Sequence, residues 1–92
     1  MGQDEGMLFI FPTKQQPTFW MHQMNFPLDF VWLADNQVVD LQQNISAPSP
    51  GLPDNQIATV RPKQPVDMVL EVNAGWIAKH QIKIGDTLVI KD

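Results

Sequence analysis

A histidine and a carboxylate, His22 and Asp29, stand seven residues apart in the segment from Phe19 to Leu33, FWMHQMNFPLDFVWL. A carboxylate hydrogen-bonded to an imidazole can act as a general base, so this pair would suit the acid–base chemistry of a small hydrolase or lyase. A nucleophile or metal would still be needed, and neither accompanies the pair. The plainer account, in which Asp29 accepts backbone amides at a strand entrance and His22 sits at a wet rim, carries more weight, because structural hydrogen bonding also occupies carboxylates. As metal ligands, two residues fall short of the usual three or four, and His80 belongs to a distant segment. No metal or cofactor is expected.

Trp20, Trp32 and Trp76 offer flat apolar faces suited to sugars or other ring-shaped ligands, although core packing is the simpler role for tryptophan in a small domain. Met7, Met21, Met24 and Met68 read as core filling. Glu71 lies in the apolar run VDMVLEV beside Asn73. A carboxylate on a buried strand must find a partner or shift its pKa; Arg61 is a candidate partner, and a solvent-facing position is the alternative. Gly-rich phosphate loops, paired-histidine zinc helices, serine nucleophile elbows and calcium loops do not occur.

The balance of charge narrows the partners. Ten acidic residues against six basic give a net charge of -4, which repels a phosphate backbone and supplies no basic stripe, so nucleic acid is not an expected partner. With no cysteine, disulfides and thiolate chemistry are excluded. No apolar run reaches the ~18 residues of a membrane helix, and MGQDEG lacks the basic and apolar regions of a signal peptide. Membrane insertion is therefore not expected, and the compartment stays open.

The elements that must position these residues are mostly strands. MLFIF (Met7 to Phe11) reads as a strand that stops at Pro12, TFWM (Thr18 to Met21) as a second, and LDFVWL (Leu28 to Leu33) as a third with two apolar faces, hence central. ADNQ turns that strand into VVDLQQNI (Val38 to Ile45), a β-hairpin. SAPSPGLPDNQ (Ser46 to Gln56) is a long surface loop that denies helix. IATVR and VDMVLEV (Val66 to Val72) add strands. Asn73 is a good N-cap for one short helix over residues 74–80, and TLVIK closes the chain as a last strand. Many short strands, one small helix near the C-terminus and eight prolines fit a mainly β domain, a small β-barrel or rolled sheet spanning 1–92.

The ordered blocks GMLFIFP, FWM, PLDFVWL, VLEVNAG and IKIGD resemble the family called domain of unknown function 192. This resemblance covers nearly the whole chain. It implies a compact β-barrel-like fold with a small helix, members that often look exported or lipid-anchored, and no established activity. The chain departs from the family pattern in beginning almost at GMLF, without the usual amino-terminal β-segment, and in carrying His22, Gln23 and Met24 where a basic residue, asparagine and threonine are common. It also has Gln81 where the helix end commonly has glycine, and lacks a cysteine often seen in the middle loop. An edge left without its strand would recruit another chain, which predicts a homodimer through an exposed sheet edge.

The leading expectation is a non-enzymatic module binding a small-molecule ligand or a protein partner, with ligand-binding residues Trp20, His22, Asp29, Glu71 and Asn73 around an apolar pocket. A hydrolase or lyase using Asp29 and His22 is one alternative. A purely structural or accessory domain is the other.

Overall fold

The run Leu28–Ala34 alternates two apolar sets, and both are buried: Leu28 through Leu33 are closed to solvent without interruption. That is possible only for a strand covered on both faces. In the computed structural model, which describes residues 6–21, 26–57 and 59–89, the strands are β1 (Gly6–Gln15), β2 (Phe19–Trp20), β3 (Leu28–Ala34), β4 (Gln37–Ile45), β5 (Thr59–Val60) and β6 (Val66–Asn73), followed by helix α1 (Trp76–Lys79). Among the described residues the molecule is mainly β, with one short α-helix near the C-terminus. A four-stranded sheet runs in the order β1-β6-β3-β4, and β2 pairs with β5 in a separate two-stranded sheet. The larger sheet is open, so of the two expected architectures the closed barrel gives way to a sheet with separate layers on its two faces.

All neighbours in the large sheet are antiparallel, and register assigns each side chain to a face. Phe30 pairs with Glu71 and Trp32 with Val69, while across the next ladder Met7 pairs with Glu71 and Phe9 with Val69. Directly paired residues share a face, so these six lie together. On that face Leu28, Phe30, Trp32, Val66 and Val69 form a core with Met21 and Val60 from the small sheet's side. On the opposite face Val31 and Leu33 pack with Val38 and with Ile77 of α1. Complete burial of each large side chain contributes roughly 1.5–3 kcal/mol, and β3 supplies both cores at once.

The turn between β3 and β4 is made by Asp35 (φ 53) and Asn36 (φ 66). Two successive left-handed residues are the type I′ geometry whose twist suits a two-residue hairpin, and Asp and Asn tolerate it better than most residues. The expected hairpin therefore forms where the sequence places it. Strand β1 instead runs past Pro12 to Gln15, with an irregularity in its pairing between Ile10 and Gln15. Proline removes a donor, but β1 is an edge strand and its pairing with β6 is already interrupted there. The loop from Ser46 to Gln56, expected to be free of helix, holds one 3-10 turn over Asp54–Gln56.

Two expectations near the C-terminus need correction. Asn73 does not cap the helix: it remains in β6 opposite Leu28, and the chain then reverses through Gly75 at φ 96, which is the actual N-cap residue. The helix is shortened to Trp76–Lys79 because its start waits for that reversal. The last segment forms no strand among the described residues. Thr87 makes an isolated bridge to Gln37, and the amides of Val38 and Leu88 bond to the carbonyls of Asp86 and Asn36.

Candidate functional site

Asp29 is completely buried, and all its acceptor capacity is directed at backbone. Oδ1 accepts the amide of Asn44 at 2.8 Å, while Oδ2 accepts those of Gly75 at 3.1 Å and Ile77 at 3.0 Å. The cap expected of Asn73 is thus supplied from β3, 46 to 48 residues earlier in the chain. Three amide donors account for a buried carboxylate without any catalytic role. Of the two roles the sequence allowed, the structure has the amide-accepting one.

Glu71 is in the opposite situation. It lies one ladder step from Asp29 but on the other face, since Asp29 pairs with Val72 and Phe30 with Glu71. It is only 5% exposed, and among the described residues its carboxyl has no hydrogen-bond partner and no ion pair. Arg61, the candidate partner, is exposed, and its carbonyl accepts the side-chain amide of Gln42 at 3.0 Å; the alternative, a solvent-facing Glu71, does not hold either, since the residue is 5% exposed. Burial pushes the Glu71 carboxyl above the usual carboxylate range, because loss of water penalises the charged form.

The Glu71 side chain faces a cleft of about 260 Å³ between the large sheet and β2. Phe9 (β1), Phe30 (β3) and Glu71 (β6) come from the sheet, and Thr18, Phe19, Trp20 and Met21 from the segment carrying β2. Phe19 organises the aromatic wall. Its ring meets Phe9 edge-on at 5.2 Å and Phe30 edge-on at 6.3 Å, and Phe30 stacks on Trp32 at 5.9 Å. Edge and offset contacts are the favoured aromatic arrangements, so the wall is held rigidly. Trp20, 44% exposed, stands at the mouth.

Of the five residues expected at a ligand site, the structure brings Trp20 and Glu71 to one cleft. Asp29 is corrected out of it, being on the other face with its oxygens taken. Asn73 shares the cleft's face but does not line the cleft. His22 and Met24 lie outside the described residues, so the Asp29/His22 pair has only its carboxylate member in view, and that member is sealed from solvent. Trp32 is core, Trp76 half-buried against the His80 ring at 4.3 Å, and Met7 is 46% exposed rather than core filling. Phe9, Thr18, Phe19, Met21 and Phe30 were not foreseen as lining. The alternation in LDFVWL groups Phe30 with Trp32, but placing either beside Glu71 requires the register.

A third buried carboxyl, beside Asp29 and Glu71, escaped sequence reasoning. Asp40 on β4 accepts the amides of Leu41 at 2.8 Å and Lys63 at 2.9 Å, while Gln42 bridges the Trp32 indole to the Arg61 carbonyl. This network pins residues 61–63 over the first core. The acid within VVDLQQNI was its only sequence signal. Among the described residues no three His, Cys, Asp or Glu gather as a metal site, and no helix is long and apolar enough to cross a membrane.

The model of the family DUF192, described as "Uncharacterized ACR", matches residues 1–90. No curated protein matches. The chain is similar to the structure of a protein of unknown function from Novosphingobium aromaticivorans, with 31% identity and a TM-score of 0.77, over 95% of this chain and 58% of that one. It is equally similar to a protein from Sinorhizobium meliloti described as a candidate transcription regulator, again with 31% identity and a TM-score of 0.77, over 95% of this chain and 63% of that one. The chain therefore spans about three-fifths of the length of these structures.

Proposed function

This chain belongs to the DUF192 family, a family without an established activity, and from that premise we propose that it is a binding module whose small-molecule ligand occupies the cleft between β2 and the four-stranded sheet. The observation that carries this reading is Glu71, a carboxyl 5% exposed, unpaired among the described residues and facing an aromatic-walled space. Ligand pockets are mostly apolar with a few placed polar groups, and a volume of about 260 Å³, just under the roughly 300 Å³ at which such pockets usually begin, suits a compact ligand. Partial loss of water penalises the charged form of the Glu71 carboxyl, and a ligand that donates to it would offset that cost. The acid–base reading of Asp29 has no comparable support.

A fragment screen followed by amide and indole NMR shifts tests the proposal. Hits should move the Trp20 indole and Glu71 amide signals, and Thr18→Phe, which fills the cleft from an exposed position, should abolish those shifts while leaving the fold intact. Hits that map elsewhere, or that survive Thr18→Phe, would refute it.

A second reading concerns association. The partner we infer is a second copy of this chain, joined through the outer edge of β1. Among the described residues β1 is paired only with β6, and it carries Ile10 at 69% exposure. An unpaired apolar edge favours strand addition, and a charge there opposes it. Light scattering should give a dimer for the natural chain and a monomer for Ile10→Lys; a natural chain that stays monomeric at high concentration would remove this reading.

A further inference from the structure

We infer that the cleft recognises a small organic cation, an ammonium group on a compact apolar or aromatic body, with the charge directed at Glu71. The inference rests on the ligand-binding reading above and adds the chemical class of the ligand.

Three observations carry it. Among the described residues lining the cleft Glu71 is the only ionisable one, and none of them is a lysine or arginine that would receive an anion. Its carboxyl has no hydrogen bond or ion pair among the described residues, which leaves its acceptor oxygens for an incoming donor. Around it stand Phe9, Phe19, Trp20 and Phe30, whose ring faces carry the negative part of the aromatic quadrupole and attract a cation. A neutral ligand would gain the apolar contact but not the charge pairing, and an anion would meet a desolvated acid and electron-rich rings. The net charge of -4 favours approach of a cation in the same sense. Burial, which raises the Glu71 pKa, makes the carboxylate form costly in the empty cleft, and an ammonium ion relieves that cost directly.

Benzylammonium, benzyl alcohol and benzoate share one ring and differ in charge, and titrating each into the protein while following the Trp20 indole separates the possibilities. The cation should bind roughly tenfold more tightly than the alcohol, with benzoate weakest. Glu71→Gln should erase the preference for the cation over the alcohol. Should that variant fail to fold, the ranking in the natural chain decides by itself. If the alcohol or benzoate binds as tightly as the cation, the charge assignment is wrong while the cleft remains a binding site. If none of the three moves the Trp20 or Glu71 signals, the cleft reading and this inference fall together.

Discussion

The carboxylate of Asp29 holds the amide of Ile77 at 3.0 Å across 48 residues of sequence. This bond, with its companion to Gly75 at 3.1 Å, fastens a four-residue helix to the central strand of the sheet. A helix that short has no stability of its own in water. Its place over the second core is therefore set by Asp29 from below and by Ile77 packing against Val31 and Leu33.

Asp29→Ala should destabilise the domain by about 3 kcal/mol, because it removes one charged acceptor shared by three amides, that of Ile77 buried and those of Asn44 and Gly75 partly so. For a domain of this size the melting temperature should fall by roughly 15 °C. Denaturant unfolding measures the loss, and hydrogen exchange at the Ile77 amide localises it. A near-neutral Asp29→Asn variant with lost ligand binding would contradict the structural role.

Glu71→Gln should behave in the opposite sense above the ordinary carboxyl pKa of 4.5. Burial raises the pKa in the folded state, so the folded chain holds this proton longer than the unfolded chain does. The contribution of Glu71 to stability is then fullest below 4.5 and is lost as pH rises through the shifted value. Glutamine cannot lose a proton, so the variant's melting temperature should exceed that of the natural chain near neutral pH and approach it in acid. A gap independent of pH would show that the carboxyl is not desolvated as described.

Asp40→Ala removes the acceptor for the Lys63 amide and for that of Leu41. We expect a loss of about 2 kcal/mol and faster hydrogen exchange at Lys63, with Ile77 protection unchanged at matched stability. Equal loss of protection at both amides would mean that the two ends of the fold are not independently tied.

Gln81→Gly should stabilise the protein by about 1 kcal/mol. Gln81 sits at φ 54, and the Ile82 and Gln81 amides bond back to the carbonyls of Ile77 and Ala78 at 3.1 and 3.2 Å. This is the Schellman closure of α1, in which glycine is preferred at the left-handed position. Urea midpoints at constant slope check the prediction; an unchanged midpoint would mean that the turn is not strained.

What the sequence determined by itself was local. The alternation of Leu28, Phe30 and Trp32 against Val31 and Leu33 prescribed a strand buried on both faces, since side chains on a strand must point alternately. Asp35 and Asn36 prescribed the hairpin, because few other pairs tolerate successive positive φ, and the placement of apolar runs prescribed a mainly β domain. Tertiary structure alone decided the chemistry of the two acids. Asp29 and Glu71 each sit in an apolar strand, and nothing in their neighbours distinguishes them. Long-range antiparallel register put one beneath the amides that open α1 and the other against Phe9 and Phe30. A carboxyl's role depends on which donors reach it through space, and those donors come from parts of the chain whose pairing no local pattern encodes.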